Sequence, residues 1–442
     1  MVSPQRSSQI FSIALPIIGG MMSQNIVNLV DTAMVGQLGS NQLAAVGLGG
    51  FLNFVAAAFF MGLASGVQAM VSRRVGEGRI EEAANPLNGA LIAIFFVAIP
   101  VSYILIQNSE SIIALVNSDP NVIEHAVPYL DSRLLATVAI GMNFSFRGYL
   151  AAIEMTKFYF KVLIIMHSLN ILLNYMLIFG NWGFPALGAE GAGLATSISL
   201  MTGTLIYFYL TVKHTKKYGF GMHLPKKETL IQVIRISLPS SSQQLFFALG
   251  FSALFWIVGQ IGTKELAAAH VLTTLTLVAI LPSIAFGMSS ATLVGQALGR
   301  KDVDDAYQWA WDTSKISMLV VSVLSLPMFF TPELLLGVFL HDESVIQIAK
   351  VPLQLVGIAI IIDACNLVLM SSLQGAGATK STMIVSIVSQ WLVFLPLAWF
   401  LGPYLGMGLT AIWLSQGLYR FLQTIWYAKL WKQQHWASIK LH

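Results

Sequence analysis

Residues 15–45 read LPIIGGMMSQNIVNLVDTAMVGQLGSNQLAA, and residues 238–268 read LPSSSQQLFFALGFSALFWIVGQIGTKELAA. At an offset of 223 residues, Leu15-Pro16 falls on Leu238-Pro239, Val35-Gly36-Gln37 on Val258-Gly259-Gln260, and Leu43-Ala44-Ala45 on Leu266-Ala267-Ala268. Gly39 meets Gly262, Gly76 meets Gly299, and Thr156-Lys157 meets Thr379-Lys380 at the same offset. After a shorter connection late in the second half, Gly193-Leu194 falls on Gly408-Leu409. The chain is an internal duplication whose two copies each open with a long apolar run interrupted by one proline.

The rest of the composition says what kind of duplication it is. Of 442 residues, 56% are hydrophobic and 10% charged, with a mean hydropathy of +0.73. Soluble domains carry about 25% charged residues, which excludes an ordinary cytosolic enzyme. One cysteine and no low-complexity tract exclude a disulfide scaffold and a disordered chain. The net charge is +4, yet the charges fall in short breaks between apolar runs, not on one basic face, so no nucleic-acid partner follows.

A helix needs about 20 apolar residues to cross a bilayer. Twelve such runs are present, at 10–36, 46–72, 85–107, 122–149, 158–180, 188–212, 229–259, 266–297, 306–330, 345–374, 381–401 and 407–431. None alternates in polarity as a barrel strand would. No cleavable signal peptide is expected, since Arg6 is the only charged residue before the first run and no small-residue cleavage site ends a short apolar segment. The expected fold is an all-α membrane protein of twelve transmembrane helices in two parallel six-helix repeats, arranged as an N-lobe and a C-lobe. The expected division is an N-lobe at 1–212, a basic linker at 213–228 and a C-lobe at 229–442. Six spans per half return the chain to its starting side, so the repeats are parallel and an alternating-access transporter is the natural reading. The Lys/Arg asymmetry places Arg73, Arg74, Arg79, Lys157, Lys161, Lys213 to Lys227, Arg300, Lys301, Lys380 and the Lys429–Lys440 tail on one side. Both termini are then expected in the cytoplasm, with Lys264 and Lys350 as exceptions to the rule.

Polar residues inside spans are costly and mark a pathway or a proton relay. Gln24, Asn28 and Asp31 fall at i, i+4 and i+7 and share one stripe of the first span. The repeat partner of Asp31 is Leu254, so the halves share a scaffold here but not the carboxylate. Asn170 and Asn174 are one turn apart on the fifth span with His167 on the same flank, and Thr196 and Ser199 lie on the sixth. Counted from the outer ends these groups sit at similar depth, which predicts a polar chamber in the N-terminal half. A carboxyl there can change protonation as access alternates. The bland alternative is a cluster that glues helices, each interhelical amide bond giving about 1 kcal/mol; it explains the asparagines better than Asp31. In the C-terminal half, Asp363 with Asn366 forms a possible ion site, or a buried acid bonded to a neighbouring helix. Asp312 and Lys315 need only a local ion pair, and Glu124, Asp131 and Arg133 pair locally or reach the outer interface. Pro16 permits a kink in the first span, as Pro239 does in its repeat.

The segment Gly375-Ala376-Gly377-Ala378-Thr379-Lys380-Ser381 lacks the order and the strand–helix context of a phosphate loop. No nucleotide partner, prosthetic cofactor or certain metal site follows, and no nucleophile elbow or metal-protease motif points to an enzyme. Glu265 and His270 have no metal partner in sequence, and Cys365 reads as a small core residue.

These residues resemble a known family. Pro16, the segment Val30-Asp31-Thr32-Ala33-Met34-Val35-Gly36, and Leu43-Ala44-Ala45 with Gly47, set in two six-span halves, resemble the multidrug and toxic compound extrusion (MATE) transporters. The constellation of Asp31, Asn170, Asn174 and Thr196 looks like that family's DinF-type branch. The resemblance implies a V-shaped pair of lobes in a bacterial inner membrane, exporting hydrophobic and often cationic small molecules in exchange for H⁺ or Na⁺. It implies that Asp31 is the protonation site, that the remaining N-lobe polar residues line the substrate cavity, and that bending at Pro16 is a transport step. Some members carry a second acid on the fifth span where this chain has Asn174, so Asp31 would titrate alone. Asp363 matches an acid used by sodium-coupled members, which keeps Na⁺ as an alternative to H⁺. A monomer is expected. A lipid-linked saccharide flippase is the competing reading, against which the deep acids and amides count.

Overall fold

The computed structural model describes residues 2–222 and 224–441. Twelve long helical stretches account for the twelve apolar runs. They are α1 Pro4–Gly36, α2 Ser40–Gly76, α3 Asn85–Gln107, α4 in two segments (Pro120–Leu134 and Thr137–Ala152), α5 Thr156–Phe179 and α6 Ala189–His214. The second set is α7 Lys227–Gly259, α8 Thr263–Gly299, α9 Val303–Phe330, α10 Glu343–Gly375, α11 Thr379–Tyr404 and α12 Gly408–Lys432. Ten of these stretches are long and apolar enough to span on those criteria alone. The other two, α4 and α12, are more polar, with Asp131, Arg133 and Arg147 in the first and Arg420, Lys429 and Lys432 in the second.

The duplication is visible in the helix ends. Displaced by 223 residues, Pro4–Gly36 becomes Lys227–Gly259 and Ser40–Gly76 becomes Thr263–Gly299. The two-part α4 starts and ends where α10, Glu343–Gly375, does. Both α1 and α7 are unbroken 33-residue helices that run through Pro16 and Pro239.

The copies differ where local chemistry differs. The Leu134 carbonyl accepts from the hydroxyls of Ser102 and Thr137, both at 2.6 Å, and α4 breaks there, whereas α10 is continuous. Residues Val388–Phe394 and Phe400–Tyr404 of α11 widen into π turns around Pro396 and Pro403. Neither proline has an N–H for the carbonyl four residues back, so the ladder shifts.

The described residues pack as two compact units. One holds residues 2–18, 76–78 and 242–441; the other holds 19–75 and 79–241. The divisions fall inside helices, between Ile18 and Gly19 of α1 and between Ser241 and Ser242 of α7. In the first unit a core of Leu254, Val258, Leu272, Leu353, Phe394 and Ile412 is closed to solvent. Arg6 binds Asp312 at 2.8 Å and Asp305 at 2.7 Å with its guanidinium over Trp309. Lys315 also reaches Asp312, at 3.6 Å, so the acid serves two cations and not only its local one.

Candidate functional site

In the unit of residues 19–75 and 79–241, α1 and α5 lie side by side and share a register. A Cβ at Gly19 would come 2.9 Å from Phe160, and one at Gly20 would come 2.6 Å from Leu163, so two glycines let the helices approach closely. One turn on, the Gln24 carbonyl oxygen lies 3.0 Å from His167 Nε2. Two turns further, Asn174 Nδ2 donates to Asp31 Oδ1 at 2.5 Å. Each contact repeats the same separation of 143 residues. Gln24 and Asp31 of the first-span stripe therefore face His167 and Asn174 at matching steps.

A left-handed glycine at Gly180 (φ 74°) ends α5, and a second at Gly188 (φ 59°) precedes α6. This short return sets Thr196 against Asn170. With the Asn170 amide turned so that both its ends are satisfied, its nitrogen donates to Asp31 Oδ1 at 3.0 Å and its oxygen accepts from Thr196 Oγ1 at 3.1 Å. Asp31 is thus cradled by two neutral amide donors on one oxygen. Asn170 and Asn174 are 3% and 0% exposed, so water does not compete for those donors. The Asn174 oxygen has no hydrogen-bond partner among the described residues.

Beside this cradle, Ser23 Oγ lies 2.9 Å from His167 Nδ1, and Gln24 Nε2 donates to Asn28 at 3.1 Å. The single Ser23 hydroxyl proton lies between the Gly20 carbonyl, at 2.7 Å, and His167 Nδ1, while Nε2–H of a neutral imidazole donates to Gln24. Ser199 turns back to the Ala195 carbonyl at 2.8 Å and takes no part. Pro16 lies within the unbroken α1, two residues before the packing units divide.

Arg133 was expected at an interface or in a local pair. Its guanidinium bears electrostatically on Asp31 and contacts Tyr129 Oη at 3.4 Å. The signal that finds it is an arginine within an apolar run, the same signal that found Asp31. Asp131, two residues earlier, lies near Ser109, whose hydroxyl donates to the Ile106 carbonyl at 3.0 Å.

In the unit that contains residues 242–441, Asp363 is 7% exposed and lies 3.5 Å from Arg420 Nη1 on α12. Asn366, one turn on, donates to Gln423 at 3.1 Å and to Thr424 at 3.2 Å. The sequence reading passed over Arg420, although it too is a cation inside a span. Among the described residues, no group of three or more His, Cys, Asp or Glu could hold a metal ion.

Comparison with known proteins agrees with the duplicated fold. The MatE family profile matches twice, at residues 16–176 and 239–400. An uncharacterized transporter of Bacillus subtilis, YisQ, is 25% identical over 98% of this chain and 96% of its own length. The probable multidrug resistance protein NorM of Agrobacterium fabrum is 28% identical over 91% of this chain and 88% of its own. Among solved structures, a MOP superfamily transporter from Pyrococcus furiosus superposes with a TM-score of 0.89 at 21% identity, covering 97% of this chain and 96% of that one. An outward-facing multidrug resistance MATE family transporter gives 0.88 at 21% identity, with the same coverage.

Proposed function

The chain belongs to the MatE family of secondary transporters, and from that premise we propose that it is a multidrug efflux antiporter driven by protons. The substrates are hydrophobic, often cationic small molecules of the kind for which its NorM relatives are named. The membrane is the bacterial inner membrane, with both termini cytoplasmic and the chain acting as a monomer. The expected lobes at 1–212 and 229–442, joined by the linker at 213–228, are the bodies whose movement alternates access.

One observation carries this reading. Asp31 takes its hydrogen bonds from the neutral amides of Asn170 and Asn174 and feels the Arg133 charge without forming an ion pair among the described residues, whereas Asp363 has a cation of its own at 3.5 Å in Arg420. A carboxylate without a bonded cation is free to take and lose a proton; one already paired has less to offer a coupling ion. Protons from outside occupy Asp31, substrate leaves the chamber of Gln24, Asn28, Asn170, Asn174, Thr196 and His167, and proton release to the cytoplasm resets the cycle. Pro16 is the hinge position in α1. The DinF-type branch is part of the same reading.

The driving force follows from charge. One elementary charge across 100 mV is worth about 2.3 kcal/mol, and one pH unit about 1.4 kcal/mol. If one proton exchanges for one monovalent cation, the electrical terms cancel and the pH gradient drives export by roughly tenfold per unit. The second reading, coupling to Na⁺, rests on the oxygen atoms around Asp363 and Asn366.

The test is substrate-evoked proton movement in everted vesicles without sodium, with ethidium as the probe. If ethidium dissipates the gradient in the native chain and not in Asp31→Asn, the proton reading stands. If nothing moves until sodium is supplied, the reading falls and the Asp363 site becomes the coupling site.

A further inference from the structure

The unit that contains residues 242–441 has a pocket lined wholly by its own residues. It opens among α7, α8, α10 and α12 as a small cleft with a cavity volume of about 50 Å³, continued by open space at its mouth. Phe247, Phe251 and Trp413 supply aromatic walls, and Thr273 and Thr276 add hydroxyls. At its polar end Asp363, Arg420 and Gln416 converge. The α12 contributors Trp413, Gln416, Gly417 and Arg420 fall at i, i+3, i+4 and i+7, one stripe of one helix.

The polar end is balanced in charge but incomplete in hydrogen bonding. Asp363 Oδ1 and Arg420 Nη1 are 3.5 Å apart, longer than a good N–H···O bond of about 2.7–3.2 Å. Asp363 Oδ1 and Gln416 Oε1 are buried acceptors with no hydrogen-bond donor among the described residues. Arg420 is steadied from behind by Gln423, at 3.3 Å, and by the Tyr419 ring. A buried acceptor without a donor is a cost that a bound donor removes.

We propose that this pocket binds aromatic zwitterions whose two charges sit close together, as in an aromatic α-amino acid. The α-ammonium would donate to Asp363 and Gln416, the α-carboxylate would accept from Arg420, and the aromatic body would lie against Phe247, Phe251 and Trp413. The selection rule follows from the ion pair. A ligand with only a cation draws Asp363 away and leaves Arg420 buried without a partner; one with only an anion does the reverse. Both outcomes are penalised in a low-dielectric site. A zwitterion replaces both halves of the pair at once, and the spacing of charges on one carbon suits a pair 3.5 Å apart.

The inference goes beyond proton coupling and is tested apart from it. Phenylalanine, its methyl ester (cation only) and its N-acetyl derivative (anion only) are titrated calorimetrically against the full chain in lipid nanodiscs without sodium. The zwitterion is expected to bind at least tenfold more tightly than either derivative. Arg420→Gln should turn the preference toward the ester, and Asp363→Asn toward the N-acetyl compound. Gly417→Leu, whose side chain enters the pocket beside Ala359, should abolish binding of all three. Binding of the three within threefold of one another by the native chain overturns the proposal, a result that requires no variant to fold. So does a preference unchanged in both charge variants. Asp31→Asn should keep the zwitterion preference even where proton movement is lost; loss of that preference in Asp31→Asn places the ligand elsewhere and also overturns it.

Discussion

Asp31 and Asn174 meet at the same step of two helices that run side by side, and the asparagine nitrogen donates to the carboxylate at 2.5 Å. Gln24 and His167 meet two turns earlier with the same separation of 143 residues. The register, fixed by the close approach at Gly19 and Gly20, thus places a row of polar residues on each helix in facing positions. A one-residue slip of α5 would rotate its side chains by about 100° and part every pair.

The cradle makes the first prediction. A hydrogen bond to a charged group contributes about 1.5–3 kcal/mol, against about 1 kcal/mol for a neutral one. Asn174→Ala removes a direct partner of Asp31, and Thr196→Val removes only the partner of Asn170. Proton-coupled ethidium transport should fall about tenfold or more in Asn174→Ala, and by less than about fivefold in Thr196→Val. Vesicle assays at matched protein level check this; equal losses would mean that the amides act only as helix glue.

How much of this arrangement was legible in the sequence depended on which signal carried it. The 223-residue offset between the Leu-Pro segments anticipates the matched helix ends, because paired sequence demands paired geometry. The i, i+4, i+7 spacing of Gln24, Asn28 and Asp31 shows one stripe, since helical period is a local property. What the stripe faces is not local: the register of α1 on α5 is set by two glycines and the rings opposite them. The break of α4 at Leu134 depends on a hydroxyl from Ser102 on another helix, and no pattern within α4 announces it. Arg133 was legible as a cation in an apolar run, but the carboxylate its charge acts on, Asp31, lies on α1. Arg420 was legible in the same way, but its partner Asp363 lies on α10. An ion pair across about 60 residues leaves no periodic trace.

The second prediction concerns the Asp363–Arg420 pair, whose side chains are 10% and 16% exposed. Removing one partner of a buried pair costs about 3–5 kcal/mol, because the other charge is left stranded, while removing both with apolar residues of similar size costs far less. Asp363→Leu should lower the thermal midpoint sharply, and Asp363→Leu with Arg420→Met should recover most of the loss. Melting curves in detergent decide between this coupling and simple additivity.

A third prediction is a pH dependence at the start of α10, outside the span. Asp342 caps the helix: the Ser344 hydroxyl donates to it at 2.7 Å and the Ser344 N–H at 2.9 Å. These bonds, the hydroxyl foremost, hold the Asp342 carboxyl below its usual range. A carboxyl lowered by folding stabilises the folded state fully above its unfolded value of about 3.9, and that stabilisation is lost as the pH falls through the lower folded value. Amide exchange in the first turn of α10 should therefore accelerate below about pH 4 beyond the intrinsic rate. In Asp342→Asn, which keeps a capping oxygen but cannot titrate, the acceleration should be absent.

The last prediction tests whether helix spacing sets the chamber. Gly193 on α6 lies against α4, where a Cβ would come 2.9 Å from the Tyr129 carbonyl and 3.0 Å from Ser132 Cβ. The same contact carries the bond from the Ser197 hydroxyl to the Ser132 carbonyl at 2.6 Å. An added methyl must push α6 away from α4, at a cost of about 1–3 kcal/mol for overpacking. Tyr129 is the side chain that holds Arg133, and Thr196 is one turn beyond Gly193, so the shift acts on two groups around Asp31. Gly47 on α2 provides the control, because a Cβ there meets nothing within 4 Å. Gly193→Ala should lower both the melting temperature and ethidium-evoked proton movement. Gly47→Ala should leave transport unchanged, and it should hold or raise stability through the better helix propensity of alanine, worth up to about 1 kcal/mol. If Gly193→Ala loses stability but transports normally, the spacing of α6 and α4 does not govern the chamber, and the alignment of α1 with α5 alone positions Asp31.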